Sequence, residues 1–337
     1  MKILFAMMRE ILMESRLDDE KRLKEILAML KSRLQMSFQS SGHTTSALRA
    51  LSYGSPLSKF KDDTDGIGFY EVVRDIEEHF EEKKAELIQN LKQLSRQIFR
   101  VDNVMISYTS SEDGLAPMEA AFREIKDTLY PELDGEEIPC VLHGRKRNEG
   151  FKTSSKVQYV ARVGNFIDHG AQYHGALQIL KVILSYDYLW QNVRVKGGAY
   201  GCMSNFNRIG EGYLISYRDP NLKKTMEVYE GVVDYLKNFT VDERDMTKYI
   251  IGTISNIDRP MNPAAKGDRS MNLYMNHVSQ EMIRTERSQI LHAAQEDIRA
   301  LAAVVEAMLK AEQICVIGSE EKIEEEKEMF LEVKTLF

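Results

Sequence analysis

Apolar residues recur with a helical period over most of the first hundred positions of this chain. Leu23, Ile26, Leu27, Leu30 and Leu34 fall on one stripe, and Ile76, Phe80, Leu87, Leu91 and Leu94 on another. Steps of three and four residues keep such positions on one face of a helix, where they can be buried together. The spacing predicts helices through most of Lys2–Gln97, with a loop from Gly54 to Gly68 that carries Pro56, an acidic run and further glycine. Val104–Tyr108 reads as a strand and Ala116–Leu129 as a helix. Tyr130–Cys140, with Pro131, Gly135 and Pro139 and few apolar residues, reads as a linker.

After the linker the pattern changes. Lys156–Gly164 is a predicted strand, and Gly175–Gln191 a helix with Leu177, Leu180, Ile183 and Leu184 facing inward. Gly197-Gly198 breaks that helix. Ala199–Asn207 and Gly212–Tyr217 then form the arms of a hairpin turned at Arg208–Gly212. Asp219-Pro220 predicts a helix start, because aspartate accepts from free amides and proline at the first helical position loses no hydrogen bond. Helices run on to Leu309, and Ile314–Ile317 is a closing strand. The order describes an α+β unit with helices packed on one face of a mostly antiparallel sheet.

The chain also resembles itself. Phe5–Met36 and Tyr229–Arg259 each hold an amphipathic helix, an acidic helix start (Asp18-Asp19-Glu20 and Asp242-Glu243) and a second amphipathic helix. Asn103–Leu115 likewise lines up with Gln313–Glu325, a short apolar strand running into acidic residues. Such self-similarity predicts two homologous α/β-roll units, the first cut to its mainly helical part because Met1 falls inside the helices. The expected division is a partial unit over 1–130, a linker over 131–150 and a complete unit over 151–337.

Composition narrows the function. At 337 residues with 43% hydrophobic content there is material for two cores. The net charge of −7 argues against a nucleic-acid partner, since phosphate binding needs a clustered basic surface, and Gly144–Arg147 is the only dense basic run. No stretch approaches the ~18 apolar residues of a membrane span. With no leader pattern, the expected compartment is the cytoplasm and no membrane partner is expected. Cys140, Cys202 and Cys315 are too scattered for a disulfide framework or a zinc knuckle.

Candidate chemistry is sparse. The seven histidines form no H-E-x-x-H or H-x-x-E-H pattern. His79-Phe80-Glu81-Glu82-Lys83 comes nearest, but a protonated lysine has no lone pair for a metal. His169 and His174 read as loop and cap residues, and Ser41–His43 as a helix cap. Gly197–Gly201 is no phosphate loop, because it passes from helix to strand and lacks G-x-x-x-x-G-K-[ST].

The segment Leu189–Gly201, "LWQNVRVKGGAYG", followed by "SNFNRIGEGYLISYRDPNLKKTMEVY", resembles the last domain of pitrilysin/insulinase-type zinc metallopeptidases, presequence-protease branch. "SGHTTSALRA" at Ser41–Ala50 resembles the preceding domain of the same proteins. The resemblance implies the C-terminal half of a clamshell of two halves, each of two homologous domains. It implies no cofactor in this chain and Zn2+ in the N-terminal half. It implies that Arg194 and Tyr200 contact the substrate carbonyl in the assembled enzyme, with Gly197, Gly198 and Ala199 beside the bound peptide. The implied partners are the N-terminal catalytic half of the same protein, or a separate catalytic subunit, and an unfolded peptide. The expected function is a non-catalytic, substrate-clamping half of an endopeptidase of short unfolded peptides. The alternative is a stand-alone subunit or peptide-binding scaffold paired with a separate catalytic chain.

Overall fold

A computed structural model describes residues 2–132 and 142–337. Helices come first: α1 (Lys2–Glu14), α2 (Glu20–Leu51), α3 (Pro56–Asp65), α4 (Ile67–Glu78), α5 (Phe80–Ile98) and α6 (Leu115–Lys126). Strands β1 (Glu149–Thr153) and β2 (Tyr159–Asn165) follow, then α7 (Ala176–Tyr186), a π-helical turn (Trp190–Val195), β3 (Gly201–Phe206) and β4 (Glu211–Tyr217). Helices α8 (Lys223–Glu230), α9 (Val232–Lys237), α10 (Glu243–Ile257), α11 (Pro263–Met275), α12 (Gln280–Leu291) and α13 (Gln295–Leu309) come next. The chain closes with β5 (Gln313–Ser319), α14 (Glu320–Glu325) and β6 (Glu332–Thr335).

Packing gathers these elements into two units that are not consecutive in sequence. One comprises Met1–Ser32, Val72–Cys140 and Pro260–Ser279; the other comprises Arg33–Glu71, Val141–Arg259 and Gln280–Phe337. The first is helical among its described residues. Cross-helix ion pairs stitch it, such as Lys31–Glu77 at 2.6 Å and Lys92–Asp18 at 2.8 Å. Val104–Tyr108 is not a strand: with no strand beside it among the described residues, the run stays irregular and Met105 is half exposed. Of the predicted linker, residues 133–141 lie outside the described residues.

The second unit is built on a six-stranded sheet in the order β3-β4-β2-β5-β1-β6. Its first three pairings are antiparallel, and β1 runs parallel to both β5 and β6. Alternation along the strands makes two apolar faces. Val160, Leu214 and Val316 point to one, where they pack with residues of α7 and α13 such as Ile179, Leu180 and Val305. Ala161, Ile215 and Ile317 point to the other, where Phe38, Ala50 and Tyr70 of α2 and α4 cover them. The larger helical layer is thus joined by a second layer on the opposite face.

Several local expectations change. The predicted loop Gly54–Gly68 is mostly helix α3: Ser55 accepts from the Ser58 amide at 3.2 Å and Pro56 sits in the first turn. The similar Asp219-Pro220 signal does not cap a helix. Asp219 is buried, accepts from the Asn221 amide (2.9 Å) and the Thr225 hydroxyl (2.6 Å), and α8 starts later. The helix predicted to Gln191 ends at Tyr186 and re-forms as the π turn. Strands β1 and β6 have no counterpart in the sequence pattern, because their short charged sequences do not alternate cleanly.

The segment resembling "SGHTTSALRA" explains how α2 seats on the sheet. Ser41 leaves helical geometry (φ −125°, ψ 31°), kinking α2. The hydroxyls of Thr44 (2.8 Å) and Thr45 (3.3 Å) take the carbonyl of Ser41. One turn on, buried Arg49 forks to Glu149 of β1 through Nε (2.6 Å) and Nη2 (3.0 Å), and reaches Asp62 of α3 through Nη1 (2.6 Å). Tyr53 (3.0 Å) and Lys334 (2.8 Å) also donate to Glu149. Burial alone would raise the Glu149 pKa, but Arg49 and Lys334 hold it down, to about 2.

Removing one partner of this network strands a buried charge, so Arg49→Ala should cost about 3–5 kcal/mol of unfolding free energy in urea. The pH dependence has a definite sign. Because the folded pKa of Glu149 lies below the ordinary carboxylate value, its stabilisation is complete above that value and is lost as pH falls toward about 2. Acid titration of Glu149→Gln should show a shallower loss of stability over that window than the parent chain; an identical slope would refute the assignment.

Candidate functional site

The π turn at Trp190–Val195 and the glycines after it form one construction. The Lys196 amide reaches the Gln191 carbonyl (2.9 Å), the wide spacing of a π turn. The Gly198 amide donates to Arg194 O (2.9 Å) and the Ala199 amide to Val193 O (3.1 Å), closing the helix end. Gly198 has φ +82°, the left-handed geometry that glycine accepts without strain. Gly197 leaves no room for a side chain: a Cβ there would run into the carbonyls of Val193 and Asn192. Asn221 Nδ2 holds the Gly197 carbonyl at 2.6 Å, and Asp219 in turn accepts from the Asn221 amide. The loop is therefore fixed from both sides.

Arg194 and Tyr200 are brought together by this turn. The Arg194 guanidinium lies 4.0 Å from the Trp190 ring centroid and 5.8 Å from that of Tyr200. Arg194 makes no ion pair with a carboxylate among the described residues. Tyr200 is 66% exposed. Its amide donates to Tyr217 O at 3.0 Å, and its hydroxyl has no hydrogen-bond partner among the described residues. The two side chains thus keep donors directed at nothing within the unit. Ala199 is buried under them and anchors the start of β3, while Gly197 and Gly198 shape the backbone.

The ring of Tyr200 meets Tyr217 edge to face at 5.7 Å. Tyr217 also touches Tyr159 at 5.7 Å and His43 at 4.8 Å, and lies 5.4 Å from the Arg218 guanidinium. Sequence reasoning missed Trp190, Tyr217 and Arg218. A signal for the first was present: Trp190 is the only tryptophan of the chain and stands four residues before Arg194, one helical turn, where a guanidinium can stack on an indole.

Other chemistries find little support. Burial pushes the Cys202 thiol up to about 11 although Arg194 pulls the other way, so it stays an un-ionised thiol. Cys315 is buried and its thiol is raised further by burial; Cys140 lies outside the described residues. No three histidine, cysteine, aspartate or glutamate side chains converge on a metal position among the described residues. The side chains present therefore do not fit a zinc ion. No described helix is long and apolar enough to cross a membrane.

Residues 148–320 match the family described as the PreP C-terminal domain, and residues 1–76 match one described as associated with peptidase family M16, subfamily C. Protein HypA of Clostridium perfringens is 39% identical over 97% of this chain and 33% of its own length. Presequence protease 1, chloroplastic/mitochondrial, of Arabidopsis thaliana is 28% identical over 98% of this chain and 31% of its own. The chain thus spans about a third of the length of these curated relatives. Among solved structures, pitrilysin superimposes with a TM-score of 0.59 at 12% identity, over 93% of this chain and 33% of that one. A conserved protein from Enterococcus faecalis gives 0.53 at 16% identity, over 89% of this chain and 68% of that one. At such identities the likeness is one of fold.

The two glycines of the turn differ in what a methyl group would meet. At Gly198 the nearest atom is Pro220 Cγ at 3.5 Å, so Gly198→Ala should cost only the left-handed backbone penalty, about 1–2 kcal/mol. Gly197→Ala must displace backbone carbonyls and should cost more, as urea unfolding of the two variants would show; equal losses would mean that the turn relaxes freely.

Proposed function

The chain belongs to the PreP C-terminal domain family of M16 metallopeptidases, and from that premise we propose that it is the non-catalytic, substrate-clamping half of a zinc endopeptidase acting on short unfolded peptides. The observation that carries this reading is the pairing of Arg194 and Tyr200 on one rigid turn, each with donors unclaimed by the described residues. A guanidinium and a phenol so placed can both donate to a peptide carbonyl. Donors that bind more tightly as the carbonyl oxygen gains negative charge lower the barrier rather than merely hold the substrate.

In this reading the metal belongs to the partner half, and the chain contributes orientation and hydrogen-bond donors. The stack of Arg194 on Trp190 fixes the plane of the guanidinium, which limits the freedom lost on binding. Gly197, Gly198 and Ala199 let the peptide approach the backbone closely. The family divisions assigned are a partial third domain over 1–130, a connection over 131–150 and the last domain over 151–337. Curated relatives about three times as long as the matched region suit a partner half carried on the same polypeptide.

Two outcomes are expected. The purified chain should hydrolyse no unstructured peptide even with zinc added, and chelator-sensitive turnover by this chain would refute the proposal. In the enzyme assembled with its catalytic half, Arg194→Ala and Tyr200→Phe should each lower kcat by about 10²–10³-fold with KM little changed. A change confined to KM would make both residues binding contacts only.

A further inference from the structure

The Ser41–His43 segment has a part in the site that no sequence signal assigns. His43 meets Tyr217 edge to face, with ring centroids 4.8 Å apart and planes at 73°. It also lies 6.3 Å from the Tyr159 ring. Its Nδ1 is buried and without a hydrogen-bond partner among the described residues. An imidazole placed there for hydrogen bonding would have that nitrogen satisfied, because an orphaned buried polar atom carries a cost. What the residue supplies is the ring itself. Burial also lowers the imidazole's pKa, which keeps the ring uncharged at neutral pH.

The residues around His43 are arranged to deliver that ring. The kink at Ser41 turns the helix over the sheet, and the hydroxyls of Thr44 and Thr45 occupy the freed carbonyl. Gly42 is required because a Cβ there would penetrate the Tyr159 ring. The Tyr159 hydroxyl donates to Gln39 O at 2.6 Å, clamping the same turn of α2 from the strand side. Arg218 hydrogen bonds to the Tyr159 phenol and lies over Tyr217, closing the cluster from the end of β4.

We infer that His43 is a positioning residue for Tyr200, acting through Tyr217. The inference rests on the reading of Tyr200 given above, and adds a residue of α2 to it. Tyr200 is 66% exposed and its ring is held by few contacts, chiefly the edge of Tyr217 and the Arg194 guanidinium. A tyrosine that must place its hydroxyl to within a fraction of an ångström needs its supporting ring immobilised. Tyr217 is a strand residue with its ring on the sheet surface, and His43 and Tyr159 wall it in on the far side from Tyr200.

The single tryptophan makes the test direct, because Trp190 reports on Arg194 and so on the Tyr200 side of the turn. Acrylamide quenching of Trp190 would be measured in the whole chain, with urea unfolding of each variant as the control for folding. Tyr200→Ala should raise quenching. His43→Ala should raise it as well and add nothing in the double variant, whereas His43→Phe, which keeps a ring edge on Tyr217, should match the parent. Parent-like quenching in His43→Ala, additivity in the double variant, or a His43→Phe that behaves as His43→Ala would overturn the inference. If His43→Ala does not fold, His43→Leu keeps the volume without the ring edge and is read in the same way. In the assembled enzyme, His43→Ala should lower kcat roughly 10- to 100-fold with KM unchanged. If Tyr200→Phe slows turnover and His43→Ala does not, the positioning role fails alone. If Tyr200→Phe has no effect, the reading of Tyr200 fails, and the quenching result still decides whether His43 holds the ring.

Discussion

The buried ion network around Arg49 is the constraint on which the sheet unit depends. Glu149 has no solvent exposure, so β1 can occupy its place between β5 and β6 only if that carboxylate is neutralised. Arg49 supplies the charge and two of the hydrogen bonds, and Tyr53 and Lys334 supply others. On the other side Asp62 accepts from Arg49 and from the amides of Ile67 (3.1 Å) and Gly68 (3.2 Å), satisfying the start of α4. A hydrophobic triad of the same volume could be as stable. What the charges add is direction: only one register of α2 on the sheet lets the guanidinium fork meet both carboxylates. That register places the Ser41 kink over β2 and β4, and so places His43 on Tyr217.

The candidate site obeys the same logic at a smaller scale. An arginine beside carboxylates is neutralised within its own protein, as Arg49 is. Arg194 instead lies on an indole, which fixes its orientation without consuming its hydrogen bonds. Arg218, in left-handed geometry at φ +49°, bonds to a phenol rather than to an acid. In a chain of net charge −7, two guanidinium groups without carboxylate partners among the described residues, close to one exposed tyrosine, form a local departure from the overall balance. The arrangement suits an acceptor that arrives from outside, and a peptide carbonyl asks for no more than that.

Much of this was legible in the sequence, and the failures have physical causes. Helical period gave α1, α2, α5, α7 and α13, because a helix burying one face must repeat every three to four residues. Strands β3 and β4 were legible because a glycine-marked turn lies between two apolar runs. Strand β1 was not: a glutamate and a lysine in five residues look like a surface, and Arg49, a hundred positions away, is visible only in space. Ser55-Pro56 and Asp219-Pro220 offer the same local signal, yet one caps a helix and the other does not. Asp219 is instead committed to Thr225 and Asn221, a tertiary demand that local sequence does not announce. Arg194 and Tyr200 came from resemblance, whereas their supports came from the fold, since an aromatic contact between α2 and β4 has no sequence period to betray it.

The two family matches, residues 1–76 and 148–320, look like separate modules when read along the chain. Packing shows that part of the first belongs physically to the second. Residues 33–71 cover the face of the sheet formed by Ala161, Ile215 and Ile317, and without them that face would meet water. They bring Arg49 to Glu149 and His43 to Tyr217, so they complete both the core and the support of Tyr200. A cut placed by sequence family alone, between residues 76 and 148, would therefore expose an apolar sheet surface and strand a buried glutamate at once. The separation that matters for stability runs instead between the stretch ending at Glu71 and the one beginning at Val72, in the middle of a continuous helix.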